Sequence, residues 1–265
     1  MSRIGACFSS LRAKDRRGLV AYLTCGDPHL DETIDLVREA EDAGADIIEL
    51  GVPWSDPSAD GPTIQRAMER ALAGGTTLAR TLETIAALRR VSQIPLVLFG
   101  YYNPILARGV ERVAREAAAA GVDGVLTVDL PLEEAAELDV PLAAQGIDRI
   151  PLLTPTTDAA RAARQAARGS GFAYYVSLTG VTGAGHLDVA EVGRALERLR
   201  PALGALPLAV GFGVKDAATA RALGQHADAV VVGSALVEAI AGGKDPADRR
   251  RALRAKVSEL AAALR

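Results

Sequence analysis

The sequence predicts an α/β protein, a single-domain (β/α)8 barrel of the TIM type with an extra N-terminal helix. The chain has 265 residues, 49% of them hydrophobic and 4% aromatic, and such barrels use about 250 residues. Eight short apolar runs bounded by turn signals alternate with helical patterns. These runs are nearly continuous in Val, Ile and Leu, which is typical of parallel strands covered on both faces. A doubly wound sheet is the alternative, but it usually has fewer strands and helices.

The predicted elements follow one another in βα order along residues 1–265, with no linker that would indicate a second domain. Strands are expected at residues 19–23, 47–50, 95–99, 124–128, 149–153, 173–178, 208–210 and 229–232. Helices are expected at residues 30–43, 63–91 with a break at Gly74-Gly75, 110–120, 133–144, 158–168, 189–199 and 217–223. The last strand runs into a further helix, and the Arg-rich stretch at residues 249–256 is the solvated face of a closing helix.

A short phrase recurs in front of four of the strands. It consists of a Gly, any residue and an Asp, followed by an apolar run, as in AGADIIEL, AGVDGVL and QGIDRIPLL, and HADAVVVG is a looser copy with His in place of the Gly. A Gly at this place ends a helix in a left-handed turn. The phrases containing Asp123 and Asp148 lie about one strand–helix unit apart, so they indicate successive barrel units rather than a solenoid repeat.

Composition excludes several classes of function. The net charge of −3 and the lack of clustered basic and aromatic residues argue against binding to nucleic acid or an anionic membrane. Two cysteines are too few for a disulfide framework or a zinc site, and three scattered histidines show no metal-ligand spacing. No apolar run approaches the ~20 residues of a membrane helix, and the N-terminus is unlike a signal peptide. We expect a cytoplasmic protein without a metal.

The stretch IIELGVPWSDPSADGPTIQ, residues 47–65, contains the two leading candidates for acid–base chemistry. Glu49 interrupts an apolar strand, and burial would raise its pKa towards neutrality, as proton transfer near pH 7 requires. A structural carboxylate that caps the barrel or pairs with a buried Arg is an equal alternative. Asp60 lies in the following loop, where an ordinary turn residue is the alternative. Three other aspartates meet the same criteria: Asp27, Asp56 and Asp129.

Glycine-rich turns follow the sixth, seventh and eighth predicted strands. They are GVTGAG at residues 180–185, GFG at residues 211–213 and Gly233-Ser234, which opens a helix. Backbone N–H groups at such turns and at a helix N-terminus bind anions, and barrels of this type often hold a phosphate there. The alternative is that these glycines only make tight turns, but three such turns together favour a phosphate site.

The five tyrosines of the chain lie in or directly after predicted strands. Tyr174 and Tyr175 are consecutive on the sixth strand, so one ring faces the barrel interior and the other faces the helices. The remaining three either line a pocket or fill the core: Tyr22, Tyr101 and Tyr102.

Motifs along essentially the whole chain resemble the alpha subunit of tryptophan synthase. The segment GVPWSDPSADGPTIQ is close to the pattern GVPFSDPxADGPTIQ of that family. Other matching segments follow in the family's order: YLTCGDP, YYNPI, DLPLEE, YYVSLTGVTG, GFGV and VVGSALV. The resemblance implies a lyase that cleaves indole-3-glycerol phosphate to indole and D-glyceraldehyde 3-phosphate without a metal or organic cofactor.

The resemblance also implies roles for individual residues. Glu49 would be the acid–base residue, and Asp60 would bind the indole N–H. The beta chain would contact Asp56 and Pro57 in an α2β2 assembly and receive indole through a tunnel. The implied substrate-binding residues are Tyr174, Thr182, Gly183, Gly213, Gly233 and Ser234, with Tyr22 and Leu126 lining the indole pocket.

Three departures from the family pattern do not involve Glu49 or Asp60. Trp54 and Tyr22 each stand where Phe is usual, and the AGHLD segment at residues 184–188 lacks an Arg often found there. The alternatives to a tryptophan synthase alpha chain are a stand-alone indole-releasing lyase, a non-catalytic activator of a partner and a sugar-phosphate isomerase or epimerase.

Overall fold

Parallel strands and helices alternate throughout the parts of the chain that the computed structural model describes, residues 2–177, 188–211 and 213–265. The strands are β1 Gly18–Thr24, β2 Ile47–Gly51, β3 Leu96–Gly100, β4 Gly124–Thr127, β5 Asp148–Arg149, β6 Leu152–Leu153, β7 Ala173–Val176, β8 Leu208–Gly211 and β9 Ala229–Val232. The helices are α1 Arg3–Ala13, α2 Thr33–Ala43, α3 Pro62–Ala73, α4 Leu78–Leu88, α5 Tyr102–Arg108, α6 Val110–Ala120, α7 Ala136–Ala144, α8 Ala159–Arg168, α9 Val189–Leu203, α10 Ala217–Gly224, α11 Ser234–Ala241 and α12 Pro246–Ala263. None of the described helices is long and apolar enough to cross a membrane.

The nine strands form one parallel sheet in the order β5-β4-β3-β2-β1-β9-β8-β7-β6. Its two end strands are the halves of the predicted fifth strand, which is interrupted at Ile150-Pro151. The Ile150 N–H donates to the carbonyl of Val125 on β4 at 2.9 Å, and the Pro151 carbonyl accepts from the Tyr174 N–H on β7 at 2.9 Å. The chain itself therefore joins the two ends of the sheet. The barrel fold is confirmed.

Some predicted elements differ from the observed ones. The fifth strand is not continuous, because Pro151 has no N–H to donate to a ladder on both sides. The helix predicted at residues 133–144 begins only at Ala136, and α5 was not predicted. The end of the strand predicted at residues 173–178 lies outside the described residues. The extent of the domain over residues 1–265 stays a prediction.

Side chains from alternate strand positions fill the inside of the barrel. Inward-facing residues include Val20 and Tyr22 on β1, Val97 and Phe99 on β3, and Leu126 on β4. The intervening positions pack against the surrounding helices in a second core cluster. The barrel is thus a packed core, and only its ends can hold a ligand.

Helix α1 closes the N-terminal end of the barrel. Its buried residues Ile4, Phe8 and Leu11 recur at helical spacing and belong to the barrel-interior cluster. The Phe8 ring lies 5.7 Å from the ring of Phe172, just before β7. The predicted extra helix is therefore part of the core, and the opposite, C-terminal end of the strands remains for function.

Three of the four recurring aspartates bind the start of the preceding strand. The carboxylate of Asp46 accepts from the Leu19 N–H at 2.9 Å, and that of Asp123 accepts from the Leu96 N–H at 2.8 Å. The Asp228 carboxylate accepts in the same way from the N–H of the first residue of β8 at 2.8 Å. Each Asp connects one strand to the turn before the next strand, which gives the repeated phrase a structural purpose.

Replacing Asp123 with Ala is expected to lower the free energy of unfolding by about 3–5 kcal/mol. Asp123 also binds Arg89 at 2.5 Å, and the exposed fractions of the two side chains are only 5% and 10%. The substitution would therefore leave a buried guanidinium unpaired. Urea unfolding would measure the loss. The control is Glu133→Gln, whose side chain is 53% exposed beside Arg161 and should contribute less than about 1 kcal/mol. Equal losses in the two variants would contradict this role for Asp123.

Candidate active site

Glu49 is a buried carboxyl at the centre of the barrel. It lies on β2 beside Tyr22 of β1 and Val97 of β3, and only 1% of it is exposed. Its Oε1 atom has no hydrogen-bond partner in the described structure. Burial alone raises the pKa of Glu49 to about 8. Among the described residues no Arg forms an ion pair with Glu49, as a structural carboxylate would require. The geometry therefore favours an acid–base group over an ion-paired one.

Asp60 lies at the end of the loop between β2 and α3. Its Oδ2 atom accepts a hydrogen bond from the Tyr101 hydroxyl at 2.6 Å, and that hydroxyl accepts from the Ala59 N–H at 3.0 Å. Burial raises the pKa of Asp60, whereas the hydrogen bond from Tyr101 lowers it. The tyrosine therefore favours the charged form of a carboxyl that is largely removed from water.

Glu49 and Asp60 lie near the same two tyrosines. Burial is the main cause of the raised pKa values of Tyr22 and Tyr174, and the carboxyls of Glu49 and Asp60 each raise both values further. Only 4% of Tyr22 and 7% of Tyr174 is exposed. Both rings belong to the barrel-interior cluster. The structure therefore brings Glu49, Asp60 and the two predicted tyrosines together at the C-terminal ends of the strands.

Two glycines make room for these tyrosine hydroxyls. A Cβ atom at Gly51 would lie 2.3 Å from the Tyr22 hydroxyl oxygen, and one at Gly211 would lie 2.4 Å from that of Tyr174. The Tyr22 hydroxyl is within 3.2 Å of the Thr24 hydroxyl, and its ring meets Phe99 edge to face at 5.2 Å. The hydroxyl that distinguishes Tyr22 from the Phe expected at this position is therefore directed at the ends of β1 and β2. Sequence reasoning had not singled out Gly51.

Leu126 and three of the predicted phosphate-binding residues also lie around this end of the barrel. Leu126 is fully buried and faces inward on β4. Gly213 follows β8 with φ of +80°, and Gly233 is the N-cap of α11, whose first residue is Ser234. Because the N-cap residue is a glycine, it has no side chain to cap α11, and an uncapped helix N-terminus of this kind suits an anion. The other two predicted residues, Thr182 and Gly183, lie outside the described residues.

The aspartates that competed with Asp60 are engaged elsewhere. Asp27 forms a bidentate ion pair with Arg70, and Asp129 accepts from the Tyr102 N–H at 2.7 Å. Asp56 is exposed and accepts from the neighbouring Ser55 hydroxyl at 2.5 Å. It lies with half-buried Pro57 in the Asp60 loop.

The remaining tyrosines divide between the barrel interior and the helix layer. Tyr101 belongs to the interior cluster, where it holds Asp60. Tyr175 and Tyr102 pack in the outer cluster. Sequence reasoning left Tyr101 open between a pocket wall and core, because a hydrogen-bond partner across the sheet cannot be read from spacing.

The family model for the tryptophan synthase alpha chain matches residues 8–265. The chain belongs to this family. It is 53% identical to the tryptophan synthase alpha chain of Chromobacterium violaceum, over 100% of both chains. It is 51% identical to that of Laribacter hongkongensis over 98% of both. The fold matches the crystal structure of tryptophan synthase subunit alpha from Legionella pneumophila with a TM-score of 0.92 and 38% identity, covering 100% of this chain and 98% of the other.

Replacing Glu49 with Gln is expected to change how stability depends on pH. The Glu49 pKa is about 8 in the folded protein and 4.5 for an unperturbed glutamate, so the folded state binds the extra proton between these values. The stabilising contribution of the protonated form is present below the lower value and is lost as pH rises through the higher one. One pKa unit corresponds to about 1.4 kcal/mol. Relative to wild type, the variant should therefore gain a few kcal/mol of unfolding free energy over this range.

Urea unfolding at a series of pH values would measure this gain. The control is Ser58→Ala, which changes an exposed residue of the neighbouring loop and adds or removes no charge. Its stability should run parallel to that of wild type at every pH. A Glu49→Gln profile that also ran parallel to wild type would contradict the raised pKa.

Proposed function

We propose that this protein catalyses the alpha reaction of tryptophan synthase, the cleavage of indole-3-glycerol phosphate to indole and D-glyceraldehyde 3-phosphate in L-tryptophan biosynthesis. The observation that carries the proposal is the buried Glu49, whose Oε1 atom has no hydrogen-bond partner and which lies near the same tyrosine as Asp60, in a chain of the alpha family. The reaction needs neither a metal nor an organic cofactor, because proton transfer and charge stabilisation are sufficient for it.

Glu49 supplies the proton. The bond between the indole ring carbon and the adjacent carbinol carbon breaks only after that ring carbon has been protonated. A carboxyl with pKa near 8 is protonated at neutral pH and can donate there. The resulting carboxylate then accepts the proton of the carbinol hydroxyl. As the carbon–carbon bond breaks, its electrons return to the ring to give indole, and the carbinol carbon becomes the aldehyde.

Asp60 stabilises the charge that appears after ring protonation. The positive charge of that intermediate is shared with the indole nitrogen, so an anion hydrogen-bonded to the N–H lowers its energy. The Tyr101 hydroxyl fixes one oxygen of Asp60 and favours its charged form. A carboxylate held in place before the reaction loses little energy in reorganisation. Two carboxyls in different environments thus divide the roles of proton donor and charged partner.

The rest of the site positions the substrate. The phosphate binds at Gly213, Gly233 and Ser234, with Thr182 and Gly183 contributing as the sequence predicts. The indole ring lies against Tyr22, Tyr174 and Leu126. Binding energy from the phosphate, which does not react, holds the reacting carbons near Glu49.

A tryptophan synthase beta chain is the proposed partner, and α2β2 is the proposed assembly. Asp56 and Pro57 lie on the same loop as Asp60, so a partner that binds there would act directly on the site. This proposal rests on membership of the alpha family. Some similar chains also come from structures of Mycobacterium tuberculosis tryptophan synthase. Glu49 and Asp60 are both present, which favours a catalytic chain over a non-catalytic activator.

Replacing Glu49 with Gln is expected to reduce indole release from indole-3-glycerol phosphate by at least about a hundredfold, because the amide cannot supply or accept the proton. Affinity for glycerol phosphate should stay nearly unchanged. The control is Glu32→Gln, which changes another buried glutamate that pairs with Arg249 away from the barrel interior. Activity of Glu49→Gln above a tenth of the wild-type value would contradict the assigned role.

Replacing Asp60 with Asn is expected to remove most of the activity, because the neutral amide no longer offsets the charge on the ring nitrogen. The matched control is Asp56→Asn, four positions earlier in the same loop, measured without a beta chain. Steady-state kinetics of indole release would compare the two variants. If Asp60→Asn turned over like wild type, Asp60 would be a turn residue only.

A further inference from the structure

Helix α3 holds the main chain at Asp60. The helix begins at Pro62, two residues after Asp60. The side-chain amide of Gln65, in its first turn, donates to the carbonyl of Asp60 at 2.8 Å and to that of Pro57 at 3.4 Å. The position of α3 therefore determines where Asp60 lies relative to Glu49.

The other half of α3 is fixed to the loop that follows β1. Arg70 donates from Nε and Nη2 to the two oxygens of Asp27, at 2.7 Å and 3.0 Å. Only 3% of Asp27 is exposed. Beside this pair, a Cβ atom at Gly26 would lie 2.0 Å from the Thr76 hydroxyl, so the β1 loop also packs directly against the turn after α3.

Apolar packing alone does not define the position of α3 along its axis. Its buried face consists of Ile64, Ala67, Met68 and Ala71, of which two are small and one, Met68, is flexible. The hydrophobic effect is non-directional, and a helix can slide against such a surface at modest cost. A bidentate guanidinium–carboxylate pair, in contrast, has a fixed geometry. Any displacement of α3 that Arg70 permits is carried through Gln65 to Asp60.

We propose that the ion pair between Asp27 and Arg70 is a positioning device for Asp60, in which the pair fixes α3 and α3 fixes the loop that carries the carboxylate. The proposal rests on the function proposed above. Neither residue is among those proposed to bind the substrate, so both are positioning residues rather than catalytic ones.

A second ion pair provides a matched control. Arg249 on α12 binds Glu32 with two hydrogen bonds of 2.9 Å and 2.6 Å, and Glu32 is 8% exposed. Burial raises the pKa of Asp27, and the positive charge of Arg249 lowers it, less than Arg70 does. The pair of Arg249 and Glu32 fixes α12 instead of α3.

The test compares Arg70→Gln and Asp27→Asn with Arg249→Gln and Glu32→Gln in the full chain, each assayed well below its melting temperature. Because small misplacement of a reacting group can cost up to about a hundredfold, the first two variants should lose roughly ten- to a hundredfold in kcat. The KM should change less than about threefold, since the phosphate dominates binding. Arg70→Lys should recover part of the loss. The control variants should keep kcat within about twofold at a similar loss of melting temperature.

Trp54 provides a readout that is independent of activity. It is the sole tryptophan of the chain, and it lies partly buried in the loop that also carries Asp60. Its fluorescence emission should shift in Arg70→Gln and Asp27→Asn but not in the two control variants. Asp27→Asn removes the buried negative charge itself, so this variant still tests the proposal if Arg70→Gln fails to fold.

Two outcomes would overturn the proposal. One is an equal loss of kcat in the α3 and α12 variants, which would mean that both pairs only support the fold. The other is an unchanged kcat and Trp54 emission in Asp27→Asn. If the wild-type chain released no indole, the proposed function would fail, whereas the emission of Trp54 would still show whether the pair positions this loop.

Discussion

The rest of the site depends on burying one carboxyl without a countercharge. Glu49 sits within a strand that is otherwise apolar, and burial raises its pKa to about 8. An ionised carboxylate in such a place is costly, so the side chain remains protonated until a base or a substrate changes its surroundings. A barrel supplies this environment readily, because its interior is filled by side chains from all strands. The folded state is therefore destabilised when this carboxyl ionises.

Burial also raises the pKa of the second carboxyl, but a hydrogen bond from Tyr101 counteracts the shift. Asp60 comes from a loop, and a hydroxyl from β3's C-terminal end fixes it and favours its charge. Strand residues are held by the sheet, but a loop residue needs support from its neighbours to keep a geometry that catalysis can use. Tyr101 and Gln65 provide this support on the side chain and the main chain respectively. The two carboxyls are therefore positioned by different means.

Much of this arrangement could be predicted from the sequence. Parallel strands that are buried on both sides read as continuous apolar runs, and a Glu inside such a run is conspicuous. The break at Ile150-Pro151 was missed because the flanking apolar residues outweighed the Pro, and α5 was missed because YYNPI resembles a loop. The partnership of Tyr101 with Asp60 joins residues 41 positions apart. Spacing along the chain carries no information about such a contact, and the same holds for the space that Gly51 leaves for Tyr22.

Helix α1, which closes the N-terminal end of the barrel, has a consequence for synthesis on the ribosome. Ser2 binds Asp148, and Arg3 binds Asp123, at sequence separations of 146 and 120 residues, while Phe8 packs against Phe172. These partners lie 120 or more positions later in the chain, so α1 leaves the ribosome before they exist. Until then its apolar face is exposed, so the order of synthesis and the order of docking are reversed at this end of the molecule.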